Sequence, residues 1–383
     1  MDFSFTEEQT LLRGSVSRYL QRHYDFEARQ AVVRSGAGWS REVWRGLGEL
    51  GLHALPFAEE AGGLGGSIVD VVAIGELFGA HLLVEPYVAS VVLAGTALAA
   101  VPEHADAARW LERIVAGEAI GAFAHEEGPG TPDPALVATR AERTAGGYVL
   151  SGEKKLVLHG ADADVLVVSA RLRGEPGDPD GLALFVVDPA GTGATVTPFV
   201  TVDGRRAAHL RFDRVELGPD ALLAADAHGL VRKVVDRAIV ALAAEAVGAM
   251  GELLRRTAEY ASTREQFGVP IGSFQAVAHR LADMKIALVK ARSTLLYTTA
   301  LAEAGRAGPH DVAVLKAQVG RLGRLIGESA IQTHGGVGMT DELPIGHLHK
   351  RILAIDALFG STDHHLRTVG AGRPEPRLAA PTG

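Results

Sequence analysis

Hydrophobic side chains recur near helical spacing through the first 118 residues of the chain. Two sets show this spacing: Leu11, Leu12, Val16 and Leu20, and then Val43, Leu47, Leu50 and Leu52. A glycine-rich turn, Glu59 to Ser67, follows them, and Ser67 is a typical N-cap for the next helix. The pattern predicts an N-terminal all-helical domain over residues 1–118.

The pattern changes over residues 119–222, where short β-branched runs alternate with turn residues. The runs are YVLSG (148–152), VLVVSA (165–170), LALFVV (182–187) and HLRFDRVEL (209–217). Glycine, proline and aspartate cluster between the runs, as in the segment from Arg173 to Gly181. This signature predicts a middle domain built on an antiparallel sheet or small barrel.

Long helical patterns return over residues 223–383. Two apolar faces stand out: Ile239, Leu242, Ala246, Met250 and Leu253, and then Leu315, Val319, Leu322 and Ile326. Such faces favour an up-down bundle, so we expect a C-terminal four-helix bundle. The order all-α, all-β, all-α makes the predicted fold class α+β, with a β domain between two helical parts.

Composition narrows the class of partner. The 383 residues carry a formal net charge of −8, which argues against nucleic-acid binding or a polybasic membrane surface. The chain has no cysteine, which excludes disulfides, thiolate catalysis and Cys-based metal sites. The longest apolar run, Tyr87 to Val101, is shorter than the ~20 residues of a membrane span, so a buried core helix is expected. The first residues are acidic and lack an apolar signal core, which favours a cytoplasmic location.

Three ordered blocks flank the β-rich segment and resemble the acyl-CoA dehydrogenase family over the whole chain. They are Trp44 to Ser67, Tyr260 to Met284, and Gln332 to Ile352. The resemblance implies that family's fold: an N-terminal helical domain, a middle antiparallel β domain and a C-terminal four-helix bundle. It also implies FAD as cofactor and an acyl-CoA thioester as substrate.

The second and third blocks carry residue types that suit the nucleotide half of FAD. A guanidinium at a helix end, as in Arg264, can give paired hydrogen bonds to a pyrophosphate. Two glycines let backbone amides approach a phosphate closely. The candidate cofactor-binding residues are Arg264, Phe267, Gln275, Gln332, Gly335, Gly336, Ser361 and Asp363. The alternatives are a solvated arginine, a glycine pair in a plain helix–helix turn, and glutamines that cap loops.

In the family, the arginine, the phenylalanine and the third-block glutamine reach across a dimer interface to the ADP half of the neighbouring subunit's FAD. The isoalloxazine half is held by the subunit's own β domain and C-terminal loop. This chain departs from the family pattern mainly in that second half. The usual T-E-P-x-x-G-S-D loop is Ala124 to Pro134 here and matches only at Glu126. An aromatic and a threonine that usually contact the flavin are replaced by Leu156 and Leu158.

The usual catalytic base is also absent. In relatives, the position of Phe359 holds a glutamate that removes the substrate α-proton. A second family position for the base corresponds to Ala238. Three other carboxylates are candidates, namely Asp363, Asp236 and Glu245, and Asp363 is preferred because it lies in the right loop. A polar network is the expected role of Glu245.

Four histidines, His347, His349, His364 and His365, could bind a metal or shuttle protons. No acidic ligand pattern accompanies them, so solvated loop histidines and no metal site are expected.

The predicted function is FAD-dependent α,β-dehydrogenation of an acyl-CoA thioester, with an electron-transfer flavoprotein or similar acceptor. The pattern from Lys154 to Leu366 resembles the smaller chain of two-component acyl-CoA dehydrogenases that act on dicarboxyl-CoA (pimeloyl-type) substrates or steroid side chains. Two hypotheses follow: a homo-oligomeric enzyme with a displaced base, or a non-catalytic partner that completes the FAD site of a homologous subunit. A flavin-dependent oxidase or hydroxylase is a third alternative.

Overall fold

The N-terminal domain is helical, as predicted. The computed structural model describes residues 5–128 and 133–371. The helices of this domain are α1 (Glu7–His23), α2 (Phe26–Arg34), α3 (Arg41–Glu49), α4 (Ile68–His81), α5 (Thr96–Ala99) and α6 (Ala105–Val115). The Ser67 hydroxyl accepts a hydrogen bond from Val69 N (3.0 Å), and Asp70 accepts one from Ser67 N (2.7 Å). The predicted N-cap is therefore confirmed.

The four apolar residues that show helical spacing in α1 do not all face the core. Val16 and Leu20 are buried, but Leu11 is 66% exposed. Leu12, Val16 and Leu20 lie four residues apart and share the inward face of α1, whereas Leu11 lies about 100° away around the helix.

The apolar run from Tyr87 to Val101 is a buried helical segment, as predicted. Val88–Gly95 is π-helical and continues directly into α5, and every residue of Val88–Gly95 is buried. No helix in the described part of the chain is both long and apolar enough to cross a membrane.

The middle domain is a single eight-stranded sheet. Its strands are β1 (Gly121–Ala124), β2 (Arg140–Thr144), β3 (Gly147–Leu158), β4 (Val165–Arg171), β5 (Leu182–Val187), β6 (Thr195–Val200), β7 (Arg206–Leu217) and β8 (Leu222–Ala224). The strand order is β6-β7-β3-β2-β4-β5-β8, and β1 pairs with β4. Most pairs are antiparallel, but β1 runs parallel to β4, with Gly121 opposite Val165.

Four helices form the C-terminal bundle: α7 (His228–Thr263), α8 (Gln275–Glu303), α9 (Pro309–His334) and α10 (Pro344–Ala357). A further helix, α11 (Thr362–Ala371), packs on α9. A short hairpin, β9 (Glu265–Gln266) and β10 (Val269–Pro270), connects α7 to α8. The two predicted apolar faces of α7 and α9 are buried.

The bundle and the N-terminal domain share a tight helix contact. A Cβ atom added at Gly248 of α7 would overlap the Glu76 carbonyl oxygen of α4. One added at Gly79 of α4 would overlap the Glu245 carbonyl oxygen in the same way. The backbones of α4 and α7 therefore touch, and glycine is required on both sides.

Candidate active site

The connection between α7 and α8 presents two predicted FAD-binding residues to solvent. Arg264 follows the last residue of α7, and its carbonyl oxygen accepts a hydrogen bond from Ile271 N (2.8 Å). Phe267 lies at the tip of the β9–β10 hairpin, where it is 93% exposed and has a positive φ of 54°. A large apolar side chain held in this way is shaped for contact with another molecule, since exposure of the ring costs hydrophobic free energy.

The glycine pair lies at the same end of the bundle. The rings of Tyr260, near the end of α7, and His334, the last residue of α9, stack with centroids 4.4 Å apart. Gly335 follows with φ of +66°. Among the described residues, no atom lies within 4 Å of a Cβ built on Gly335 or Gly336. The turn is therefore an open backbone surface.

Gln275 begins α8 at this end, and Gln332 lies in the last turn of α9; both are exposed. Exposed amide groups, a guanidinium and free backbone offer donors and acceptors on one surface. This donor set fits the pyrophosphate and adenine of a dinucleotide.

Phe359 occupies a rigid, buried turn between α10 and α11. It is 6% exposed and has φ of +54°, a strained value for a residue with a side chain. The Lys316 ammonium donates to the carbonyl oxygens of Asp356 (2.8 Å) and Gly360 (2.7 Å). His365 Nε2 lies 2.9 Å from the Phe359 carbonyl oxygen, which accepts a hydrogen bond from it. These bonds hold the turn in its strained shape.

The same turn places Ser361 and Asp363 at the start of α11, and both are exposed. The Asp356 carboxylate accepts hydrogen bonds from Thr362 N (3.0 Å) and Thr362 Oγ1 (2.7 Å), so it orients the first turn of α11. Asp363 forms no hydrogen bond or ion pair with any other described residue. A carboxylate there is stabilised by the helix N-terminus and is free to meet a ligand.

The first loop of the β domain directs its polar groups inward. His125 Nδ1 lies 2.9 Å from Ser169 Oγ, and the fully buried Lys154 donates to Glu127 (2.7 Å) and Ser169 (3.1 Å). Burial lowers the pKa of Lys154 to about 8, although Glu127 opposes this shift. Residues 129–132 of the predicted loop lie outside the described residues.

Glu126 links this loop to the Phe359 turn. Burial raises the pKa of its carboxyl group, and the positive charges of Lys154 and Lys316 oppose that increase. Glu126 therefore lies within electrostatic reach of both lysines. No local pattern predicts this cluster, because lysine is rarely buried and its partners come from distant parts of the chain.

The strand β3 contributes apolar contacts at two positions where the family resemblance predicts flavin contacts. Leu156 and Leu158 are half-buried and pack against the large core that includes Leu358 and Phe359. Neither side chain can donate a hydrogen bond. The side chains of Leu156 and Leu158 can therefore contact an apolar surface but cannot donate a hydrogen bond to flavin N5.

The other two candidate bases lie elsewhere. The Glu245 carboxylate accepts hydrogen bonds from Arg205 (2.8 Å) and Arg351 (2.7 Å) in the protein interior, which confirms the predicted polar network. Asp236 lines a cleft on the side of α7 opposite the buried Ala238. Asp236 and Ala238 are two residues apart, about 200° around the helix, so the Asp236 carboxylate cannot take the place of a base at position 238.

The four histidines do not converge. His347 lies beside Arg29 and Phe26, while His364 and His365 are neighbours on α11 with ring centroids 5.0 Å apart. The described residues contain no group of three His, Asp or Glu side chains arranged to hold a metal ion.

Comparison with known proteins identifies the class. Residues 6–118, 122–215 and 228–372 match the N-terminal, middle and C-terminal domains of acyl-CoA dehydrogenases, respectively. Acyl-CoA dehydrogenase FadE27 of Mycobacterium tuberculosis is 29% identical over 97% of this chain and 98% of its own length.

Two solved structures are similar over nearly the whole chain. The ChsE4–ChsE5 complex of Mycobacterium tuberculosis has a TM-score of 0.87 and 29% identity, covering 98% of this chain and 100% of the matched chain. A variant of the Tcur3481–Tcur3483 steroid ACAD has a TM-score of 0.85 and 31% identity, covering 95% and 97%. The chain belongs to the acyl-CoA dehydrogenase family, whose cofactor is FAD. The predicted family, fold and cofactor are thereby confirmed.

Proposed function

We infer that this chain takes part in α,β-dehydrogenation of an acyl-CoA thioester as one subunit of an oligomer that shares FAD across its interfaces. The observation that carries this inference is the distance between the two halves of the candidate site. Lys316, which contacts the Phe359 turn, and His334, which precedes the glycine pair, are both on α9. Eighteen residues of helix separate them, which is about 27 Å.

This length of helix between the two places favours their assignment to two different FAD molecules. Arg264, Phe267, Gln275, Gln332 and the glycine pair therefore fit the ADP half of one FAD. The Phe359 turn, with Ser361 and Asp363, faces the ring half of another. Their exposure supports cross-subunit use, since each half then needs a neighbouring chain for completion. FAD, when bound, accepts the hydride from Cβ of the substrate.

Asp363 is the proposed base within this chain. Its exposed carboxylate in the right loop can take the α-proton, a contribution of about 10²–10⁴-fold in rate. Asp363→Asn is expected to lower turnover per bound FAD by this factor. Unchanged turnover would remove Asp363 from the mechanism.

A second candidate function is that of a non-catalytic partner of a homologous chain. It is favoured by the buried Phe359 at the base position and by Leu156 and Leu158 on the flavin-facing strand. The similar steroid ACAD is, by its name, an assembly of two different chains. Under this function the partner chain supplies the base and the ring contacts, and steroid side chains or dicarboxyl-CoA thioesters are the substrates.

Visible absorbance of the purified chain separates the two functions. Stoichiometric FAD that bleaches on acyl-CoA addition supports the chain's own catalysis. Colourless protein that gains FAD only when co-expressed with a homologous chain supports the partner role. Phe359→Glu then restores a carboxylate at the usual position: it should raise turnover only if the chain has its own complete ring site.

The nucleotide-binding surface is tested by Arg264→Gln. Loss of a charge-assisted bidentate contact should weaken FAD retention by about 10-fold or more. The melting temperature of the FAD-free protein should stay the same, because Arg264 is exposed. The control is Arg109→Gln, which removes an exposed arginine of the N-terminal domain. Equal FAD content in both variants would contradict the assignment.

A further inference from the structure

A cleft of about 740 Å³ lies between the glycine-rich turn before α4, the first three turns of α7 and the connection from α8 to α9. Its size is in the range of small-molecule sites. Its charged lining residues are Arg232, Lys233, Asp236, Arg237 and Glu303. The cleft joins the N-terminal domain to the bundle, which is a common position for ligand sites.

The cleft is separate from the candidate active site. Its α7 residues form one stripe: Gly229, Arg232, Lys233, Asp236, Arg237 and Val240. Ala238, which matches a family position for the base, is on the opposite face of α7 and is buried in the core. None of the residues that the sequence assigns to FAD lines this cleft.

The charged groups of the cleft lack partners inside the described part of the protein. Arg232, Lys233 and Arg237 supply three positive charges, against Asp236 and Glu303. None of the five forms a hydrogen bond or ion pair with another residue of the described chain. The Arg237 side chain is half-buried, and a partly desolvated guanidinium binds an anion more strongly than one fully in water.

Burial shifts the pKa values of two charged groups in the cleft. It lowers the pKa of Arg237 and raises that of Asp236 to about 6. The Tyr87 hydroxyl, within electrostatic reach of Arg237, is also buried and has no hydrogen-bond partner among the described residues. Arg237 and Asp236 are therefore partly desolvated, whereas Lys233 and Glu303 on the same cleft are exposed.

We propose that this cleft binds a phosphate ester whose body carries hydroxyl or amino groups, as a nucleotide does. The three cations provide the charge-assisted donors that a phosphate requires. The two carboxylates can accept hydrogen bonds from ribose hydroxyls or an amino group. Ile68, Val240 and Val312 offer apolar contact for a ring. The nucleotide end of coenzyme A and a free adenine nucleotide share this chemistry.

Binding is measured by titration calorimetry on the purified protein with its FAD and any partner chain. The probes are free coenzyme A, ADP, inorganic pyrophosphate and, as the uncharged control, adenosine. Coenzyme A or ADP should bind, and adenosine should bind at least about 10-fold more weakly. Raising the salt concentration should weaken binding of the anions only.

Arg237→Gln is expected to weaken anion binding by about 10-fold to 100-fold, since hydrogen bonds to charged groups contribute at this level. Lys233→Gln, at an exposed position, should weaken it by a smaller factor and cannot act through misfolding. The matched control is Arg255→Gln, on the same helix but paired with Glu252 and outside this cleft. It should leave the dissociation constant within about 2-fold.

The results also distinguish the nucleotide end of coenzyme A from a free adenine nucleotide as the ligand of the cleft. Binding of coenzyme A alone, with a raised KM and unchanged kcat in Arg237→Gln, assigns the cleft to the substrate's nucleotide end. Binding of ADP as well assigns it to a free nucleotide. No anion binding at millimolar concentration, or equal affinity in Arg237→Gln and wild type, overturns the proposal. Because calorimetry needs no turnover, a chain without dehydrogenase activity still tests the cleft by itself.

Discussion

The buried ion network around Glu245 allows a quantitative prediction. Glu245 is 2% exposed, and its Oε2 atom accepts hydrogen bonds from Arg205 of the β domain and Arg351 of α10. Arg351 also donates to Asp203 (2.9 Å). The network therefore connects the β domain to two helices of the bundle. Glu245→Gln keeps the shape of the side chain and removes its charge.

The variant leaves two buried guanidinium groups to share one carboxylate. Removal of one partner from a buried ion pair costs about 3–5 kcal/mol, and we expect the lower end because the amide oxygen still accepts a hydrogen bond. For a urea dependence of about 3 kcal/mol per molar, this corresponds to a midpoint lowered by about 1 M. Urea unfolding followed by far-UV circular dichroism measures it.

The control is Glu49→Gln, which removes an exposed ion pair with Arg45. Its free energy of unfolding, calculated from the urea midpoint, should differ from that of wild type by less than about 0.5 kcal/mol. The double variant Glu245→Gln with Arg351→Gln should lose less than the sum of the single losses, because the charges are balanced again. A Glu245→Gln midpoint equal to wild type, or strictly additive losses in the double variant, would refute the reasoning.

Three further predictions concern other buried groups. Burial raises the pKa of the Glu85 carboxyl group from 4.5 to about 7. The protonated carboxyl group therefore makes its full contribution to folding stability below pH 4.5, and this contribution is lost as the pH rises through 7. Relative to Glu85→Gln, wild type should lose up to about 3 kcal/mol between pH 4.5 and 8 in urea unfolding; parallel pH profiles would contradict this. Lys316→Met removes the donor of two buried carbonyl oxygens and should cost about 2–4 kcal/mol, read from the urea midpoint. A loss below about 1 kcal/mol would show that the turn needs no such donor. Gly248→Ala should lower the free energy of unfolding by at least about 2 kcal/mol, because its methyl group meets the Glu76 carbonyl, whereas Gly251→Ala on the same helix, with open space, should raise it by about 0.5–1 kcal/mol. Equal changes in the free energy of unfolding for the two alanine variants would contradict the close contact between α4 and α7.

Local periodicity identified the long helices α7 and α9 and four of the eight strands of the middle domain, β3, β4, β5 and β7. The apolar faces of α7 and α9 are read directly from residues three and four apart, because burial of such a face stabilises each helix. The strand β1 was missed, since four residues with two alanines carry no alternating pattern. Spacing alone did not show which of the adjacent Leu11 and Leu12 faces inward.

The order of residues along the chain determined the family, the three-part architecture and the identity of the side chains at each end of the bundle. Only the tertiary structure decided that Lys154 and Lys316 are buried and that Phe359 is held in a strained turn. The physical reason is that a local pattern records which face of an element is apolar. The partner of a buried charge, and the distance between two sites, depend on how distant elements pack.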